Sequence, residues 1–383
     1  MCHLTSTKHD SEHFCRLGTS GFTLAELMIA MAAGLIVLGG AFVLLNQLVN
    51  VSGSIVKIAD TNQNLRAGTD LIVRDLTIAA AGIPIGGVSL PGGAGCVAVK
   101  RPGPASPAVT FSNCATGATP PCLSSAPSLM GVLPAVSPGQ CLGPTINTKT
   151  SDEITIISVD QTFAVANVPV PLVPTSITIH PAACAPPSCT GWTLTVPAAP
   201  SIAAGSTTAV NVGDIFMFSN SNGTALGMVT AVNSGANTIT FDDTDALNLN
   251  QPNAAAGTLS NLGPGGVYPT TDAYKIYMVS YYLDNSQAGN PRLMRQIGNA
   301  TPLAVADGIN FLEISYDLSD GVTTDVRDVL SLAPHTPNEI RKVNLSVAAN
   351  SQPVARSTGT PTVLVNSINT AVTIRDLAYR NNY

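Results

Sequence analysis

Glu26 is a single carboxylate at the start of a long apolar segment, where its negative charge needs a positively charged partner. Glu26 lies five positions after Gly21 and directly before 30 residues, 27–56, that contain no Asp, Glu, Lys or Arg. An ionised carboxylate at membrane depth is costly unless it is paired. Cleavage between Gly21 and Phe22 would place a new α-amino group about one helical turn from Glu26. An ion pair between that amine and the carboxylate is the chemistry that this spacing suggests.

The apolar segment itself predicts a membrane anchor. Residues 27–45 are almost wholly Leu, Ile, Val, Met, Phe, Ala and Gly. Such a helix, at about 1.5 Å per residue, would span roughly 28 Å, which is close to the hydrocarbon thickness of a bilayer. A buried core helix and a cleaved secretory signal are the alternatives. The run is too long for either, and no A-x-A cleavage site follows it.

Residues 21–27, GFTLAEL, resemble the class III signal of type IV pilins and of type II secretion pseudopilins. The resemblance implies that a prepilin peptidase removes residues 1–21 and that Phe22 is N-methylated. It implies that Glu26 aids assembly by pairing with an N-terminal amine in a filament. It also implies a pilin-like α+β fold, with other minor and major pilins and an inner-membrane assembly platform as partners.

An amphipathic stretch extends the predicted helix beyond the apolar run. One mostly apolar face recurs in steps of three and four, at Ile55, Ile58, Asn62, Leu65, Thr69, Ile72, Leu76, Ala79 and Ile83. This period is typical of a helix that packs one face against a core. Gly82 and Pro84 are expected to end it. The sequence therefore predicts one long helix over 22–82, with its membrane-spanning part at about 24–48.

The remaining residues predict a large β-rich head made of two regions that differ in charge and composition. Residues 83–213 carry 6 charged side chains and are rich in Pro, Gly and Cys, whereas residues 214–383 carry 23. The first region is expected to form loops and short strands. Alternating apolar residues predict strands at 154–159, 176–179, 192–196, 214–219, 226–233, 237–241, 274–283, 310–316 and 339–348.

Several short motifs of the C-terminal third are similar to those of PilW-type minor pilins. They lie at 275–283, 291–295, 302–304, 308–311, 314–317 and 374–380. The resemblance implies a non-catalytic minor pilin that helps to prime pilus assembly at or near the tip. A J-type pseudopilin of type II secretion shares this architecture and remains an alternative. So does a membrane-tethered adhesin that uses residues 88–210, whereas Glu26 argues against the K-type tip pseudopilin.

Cysteine usage agrees with an exported head. Cys2 and Cys15 precede the predicted cleavage point, which leaves an even set of six: Cys96, Cys114, Cys122, Cys141, Cys184 and Cys189. An even set in an exported domain predicts three disulfides, and six cysteines allow 15 pairings. Their spacing favours Cys184–Cys189 as one local loop and leaves the other pairs open. No C-x-x-C pair occurs, so a metal site is not predicted.

Catalytic and nucleotide-binding motifs are absent from the sequence. It contains no G-x-S-x-G, H-E-x-x-H, P-loop or G-x-G-x-x-G. His180 and His335 are predicted to be surface residues. Two aspartate groups can supply calcium ligands, although Asx turns are the stronger expectation: Asp242, Asp243 and Asp245, and Asp317, Asp320 and Asp325. The sequence therefore predicts neither an enzyme nor a cofactor, and a membrane-tethered enzyme is the least favoured alternative.

Charge and topology complete the prediction. The chain has 17 Lys and Arg against 23 Asp and Glu, a formal net charge of −6, and no basic stripe. This composition argues against nucleic-acid binding. We expect a single-pass protein in the inner-membrane lipid, with its N-terminus in the cytoplasm and its head in the periplasm. After assembly it would lie in an extracellular pilus.

Overall fold

The computed structural model describes residues 21–104, 109–114, 122–123, 128–179, 191–287, 289–351, 363 and 365–374. The described residues fall into two compact units, one that ends at Ile55 and one that begins at Val56. The fold is α+β and pilin-like: a long N-terminal apolar helix is followed by a large β-rich head that contains disulfides.

Helix α1 spans Leu24–Thr77 and contributes to both units. Its sequence contains no proline and is rich in Leu and Ala, which favour helix. In the first unit, every residue from 24 to 53 is exposed. In the second unit, Leu65, Ile72 and Leu76 of the same helix are fully buried.

The C-terminal end of α1 lies before the end of the predicted range 22–82, because residues 78–82 form turns. Ala80 and Gly82 have positive φ angles of 70° and 73°, which the right-handed helix does not allow. The backbone N–H of Ala79 donates to the carbonyl of Leu76, a tightened three-residue turn that is common at helix ends. The glycine expected to end the helix therefore lies in the turn that follows it.

The described residues contain twenty strands. They are β1 Val88–Ser89, β2 Val132–Leu133, β3 Val136–Gly139, β4 Thr145–Ile146, β5 Lys149–Thr150, β6 Glu153–Val159, β7 Ala164–Val165, β8 Val168–Pro169, β9 Ser176–Ile179, β10 Gly191–Thr195, β11 Ile215–Asn220, β12 Gly223–Met228, β13 Ala231–Asn233, β14 Thr238–Asp242, β15 Asp272–Asp284, β16 Arg292–Ile297, β17 Leu303–Asp307, β18 Ile309–Leu318, β19 Ile340–Asn350 and β20 Val365–Thr373. A short helix α2, Leu259–Leu262, and 3₁₀ turns at Pro264–Gly266 and Pro337–Glu339 complete the elements.

A seven-stranded antiparallel sheet forms the centre of the head, with β15 as its longest strand. β15 pairs with β11, β16 and β6, while β3 pairs with β6, and β12 and β17 lie beyond β11 and β16. Every residue of β6 is buried. Since β6 comes from the low-charge region and β15 from the C-terminal region, both regions of the head contribute strands to one sheet.

Two further antiparallel sheets contain four and three strands. One has the order β13-β14-β10-β9, and the other has the order β18-β19-β20. The predicted strand over 226–233 is divided between two sheets, because Val229 bonds to Asp214 while Thr230 bonds to Thr240. The chain thus leaves the central sheet at Met228 and joins the four-stranded sheet at Ala231.

Three buried apolar clusters hold the head together. The first contains the buried face of α1 together with strands of the three-stranded sheet. The second lies around Ile157, Met217 and Met278 of the central sheet. The third surrounds Trp192, the single tryptophan, and packs Phe216 and Phe241 edge to face. Burial of this apolar surface is the main source of the stability of the head.

Candidate assembly segment

The N-terminal end of α1 is closed by a reciprocal capping box between Thr23 and Glu26. The backbone N–H and the hydroxyl of Thr23 both donate to Oε2 of Glu26, each at 3.0 Å. In return, the backbone N–H of Glu26 donates to the Thr23 hydroxyl at 3.3 Å. This arrangement satisfies donors that a helix start leaves unpaired, and it holds the carboxylate at the positive end of the helix dipole.

Sequence reasoning placed Glu26 correctly at the helix start but missed its intramolecular partner. The pattern that predicts this contact is present in the sequence as Thr23-x-x-Glu26, the usual order of a capping box. The carboxylate therefore has polar contacts before any second chain is present. Those contacts leave its negative charge without a cationic partner among the described residues around it.

Gly21 and Phe22 precede the helix in open surroundings. Among the described residues other than its chain neighbour, no atom lies within 4 Å of the position that a side chain on Gly21 would take. The Phe22 side chain is 82% exposed. Residues 1–20, which precede Gly21, lie outside the described residues.

The first unit presents an apolar surface with no buried face. Its Leu, Ile, Val, Met and Phe side chains are at least half exposed, from 52% at Leu27 to 82% at Phe22. Within the described part of the chain, α1 is the one helix long and apolar enough to cross a membrane. A surface of this kind is stable only in lipid or against other apolar helices.

The head contains charged contacts that the sequence did not predict. Arg101 and Glu153 form a fully buried ion pair, with Nε and Oε1 2.9 Å apart. The guanidinium also donates to Thr155 Oγ1 and to the carbonyls of Ser137 and Pro138. Burial raises the pKa of the Glu153 carboxyl to about 7, although Arg101 partly offsets that rise. The signal available in the sequence was their rarity, because a charge kept in a charge-poor region usually has a partner.

Asp152, the neighbour of Glu153, connects three segments. Its carboxylate accepts hydrogen bonds from the backbone N–H groups of Cys141 and Ile314, at 2.9 and 2.8 Å. It also pairs with Arg327 at 3.2 Å. Burial raises the pKa of the Asp152 carboxyl despite these contacts. Asp152 therefore ties a cysteine of the low-charge region to strand β18 near the C-terminus.

A second polar cluster joins α1 to the central sheet within the second unit. The Tyr281 hydroxyl donates to Asp75 at 2.6 Å, and Arg295 pairs with the same carboxylate at 2.8 Å. Burial and the adjacent Asp75 raise the pKa of the Tyr281 hydroxyl. This cluster fixes the last turns of the helix against β15 and β16.

The structure pairs Cys96 with Cys114 and Cys122 with Cys141. These disulfides close sequence separations of 18 and 19 residues in the low-charge region. In a chain-entropy model, a disulfide that closes a loop of this length stabilises the folded state by about 3 kcal/mol. The predicted pair Cys184–Cys189 lies outside the described residues, as do Cys2 and Cys15.

The predicted histidine and aspartate candidates have ordinary structural contacts where they are described. His335 Nδ1 lies 2.7 Å from Glu339 Oε2, and His180 lies outside the described residues. Asp245 accepts the backbone N–H groups of Leu247, Leu249 and Asn250, and Asp317 pairs with Lys342 at 2.8 Å. Among the residues the structure describes, no group of three or more His, Cys, Asp or Glu is placed to hold a metal ion.

Comparison with known proteins identifies one family model, the prokaryotic N-terminal methylation motif, over residues 16–42. The match includes Gly21, Phe22 and Glu26 and the first half of the apolar run. It supports a type IV pilin-like protein, that is, a pilin or pseudopilin filament subunit whose signal is processed by a prepilin peptidase. No curated protein and no solved structure gives a significant match to the chain.

Proposed function

We propose that this chain is a minor pilin of a type IV pilus that helps to prime filament assembly at or near the tip. The proposal depends on one combination of features: the methylation motif over 16–42 covers the start of an apolar helix that begins at Leu24, is exposed over 24–53 and is capped by Thr23 and Glu26. The chain acts by packing and ion pairing and does not catalyse a reaction. Its partners are a prepilin peptidase, other minor and major pilins, and the inner-membrane assembly platform.

Processing comes first in the proposed sequence of events. The peptidase cuts after Gly21 on the cytoplasmic side, and Phe22 becomes the methylated N-terminus. The open surroundings of Gly21 and the exposure of Phe22 support access to this bond. The new amine supplies the positive charge that the apolar helix lacks.

Assembly then exchanges the partners of Glu26. In the stored monomer, the carboxylate is held by the N–H and hydroxyl of Thr23. In the filament, it pairs with the terminal amine of a neighbouring subunit. A cationic partner adds a charge–charge attraction that the N–H and hydroxyl of Thr23 do not supply, and this attraction is stronger in surroundings of low polarity, so the exchange favours extraction from the membrane into a helix bundle.

The head remains in the periplasm before assembly and is displayed on the extracellular pilus afterwards. Its disulfides support an oxidising location. The Arg101 guanidinium is held by Glu153, Thr155 and two backbone carbonyls, which supports a structural role for this buried charge. A J-type pseudopilin of a type II secretion system is the second candidate, because the methylation motif suits both kinds of filament.

Cleavage mapping and piliation together test the proposal. In cells with active prepilin peptidase, mass spectrometry should find a mature N-terminus at methylated Phe22. A deletion strain should regain pili with the wild-type chain but not with Glu26→Ala, while both proteins reach equal levels in the membrane. An intact leader in such cells would sink the proposal.

A secretion assay in the same deletion strain separates the two filament systems. Loss of pili with normal export of type II substrates supports the minor pilin. Loss of export with normal piliation supports the J-type pseudopilin instead.

A further inference from the structure

One face of the four-stranded sheet carries hydroxyl groups in two straight rows. The strands pair in register, so directly opposed residues project to the same side. The first row is Ser176, Thr195, Thr238 and Asn233, and the second is Thr178, Thr193, Thr240 and Ala231. We call these eight residues the hydroxyl face.

The other side of the same sheet is a buried core face. Trp192, Leu194, Ile239 and Phe241 alternate with the threonines along β10 and β14, and each is 1% exposed. Because successive side chains in a strand point to opposite faces, this burial directs the hydroxyl face outward. It also anchors the two central strands, so that the rows have a fixed geometry.

The rows form a small regular grid. Neighbouring strands lie about 4.8 Å apart, and alternate residues along a strand lie about 6.7 Å apart. The residues on the outer strand β9, Ser176 and Thr178, are exposed, and those on β10 and β14 are half-buried. Such a grid matches a ligand whose own polar groups repeat at short, regular intervals.

Four hydroxyls of this grid, those of Thr178, Thr195, Thr238 and Thr240, are available for new hydrogen bonds. Within the described residues, the side chains of Thr178, Thr195, Thr238 and Thr240 make no hydrogen bond, although their backbones belong to the strand ladders. Each hydroxyl can donate one hydrogen bond and accept two. Each threonine also presents a methyl group, so the face offers both polar and apolar contacts.

The charge of the region selects among polymers. Residues 161–213 contain no Asp, Glu, Lys or Arg, and neither row contains one. Asp242 follows Thr240 by two positions on β14 and places a carboxylate beside the grid. A neutral surface with one adjacent negative charge disfavours nucleic acids and acidic polysaccharides. It suits a neutral polymer with many hydroxyls.

We propose that the hydroxyl face binds an extended, neutral polysaccharide. Ring hydroxyls of the polymer would exchange hydrogen bonds with the two rows, while its C–H surfaces contact the threonine methyls. This proposal does not depend on filament assembly, and its assay contains no pilus. Its failure would therefore leave the proposed minor pilin role untouched.

Retention on microcrystalline cellulose tests the proposal with the purified full-length chain in detergent. The wild-type chain should sediment with the cellulose, and Thr195→Val with Thr238→Val should reduce its partition constant at least tenfold. Valine has nearly the same shape as threonine and favours strands, so this variant removes two hydroxyls and keeps the surface. The emission of Trp192, directly beneath the face, reports whether the sheet stays folded.

A matched control removes two exposed hydroxyls elsewhere. Ser367→Ala with Thr373→Val changes the outer side of β20 and should alter the partition constant by less than twofold. Three results would overturn the proposal: no retention of the wild-type chain, equal retention of the Thr195 and Thr238 variant, or equal loss in the control. If the wild-type chain is not retained on cellulose but adsorbs to ice, the grid binds a different periodic surface.

Discussion

Every residue from 24 to 53 is exposed, whereas Leu65, Ile72 and Leu76 further along the same helix are fully buried. The charged side chains differ between the two units in the same way. Glu26 has only the polar groups of Thr23, three residues away, while Arg101 and Glu153 meet across 52 positions inside the head. The head therefore completes its contacts within one chain. In the first unit, lipid or other subunits must cover the apolar surface and supply a cationic partner for Glu26.

Glu26→Gln should produce the largest effect and should confine it to the first unit. Glutamine can still accept the hydrogen bonds of Thr23, but it cannot form an ion pair. We expect piliation to fall to the level of a deletion strain, while the thermal unfolding of the head stays unchanged. Electron microscopy and circular dichroism measure the two results, and normal piliation would show that the capping contact, not the charge, is what assembly uses.

Arg101→Ala tests whether the head depends on the pairing of its buried charges. Removal of one partner leaves Glu153 buried and unpaired, which should lower the free energy of unfolding by about 3–5 kcal/mol. Arg101→Met combined with Glu153→Leu removes both charges and should recover most of that loss. Denaturant unfolding of the full chain in detergent provides the measurement. Equal destabilisation by the single and double variants would contradict the unpaired-charge explanation.

Two matched leucine substitutions compare the units within one helix. Leu76→Ala should lower the free energy of unfolding of the head by about 2–5 kcal/mol, because it empties a buried site. Leu38, which is 57% exposed, should give a change within about 0.5 kcal/mol when replaced by alanine. Thermal melts monitored through Trp192 suit both variants. A similar loss in the two would mean that residue 38 also packs in the isolated chain.

The most gradual expected effect is a pH dependence of the head. The pKa of Glu153 is about 7 in the folded chain against an ordinary value of 4.5, so the folded state keeps a proton that the unfolded state releases. The contribution of Glu153 to stability should therefore be fully present below about pH 4.5 and should be lost as the pH rises to about 7, by at most about 1.4 kcal/mol per pH unit. Glu153→Gln should flatten this slope in urea titrations at several pH values.

Local patterns made the first unit predictable from sequence. The membrane helix follows from an uninterrupted apolar run, and the position of Glu26 follows from its distance to Gly21. Several strands, such as β6 and β15, followed from alternation, with ends within one or two residues. These features depend on neighbours a few positions apart, and the sequence displays them directly.

The missed features depend on distant neighbours. Nothing near Arg101 in the sequence marks Glu153 as its partner, and nothing near β6 identifies β15 as the strand beside it. Strand β20 was missed because its polar residues do not alternate clearly with apolar ones. The difference in charge around residue 213 is real, but it does not mark the edge of a sheet, because sheets are assembled from segments on both sides.

The pairing of β6 with β15 also fixes when the head can finish folding. Ile156 lies opposite Val279, so about 120 residues separate partners at the centre of the sheet. Contacts between such distant segments form slowly, and a chain made from its N-terminus cannot close this sheet until Asp284 has emerged. Until then, β6, all of whose residues are buried in the folded head, has an unpaired backbone edge that can aggregate. Protection of residues 153–159 during export is therefore a requirement that the topology places on the cell.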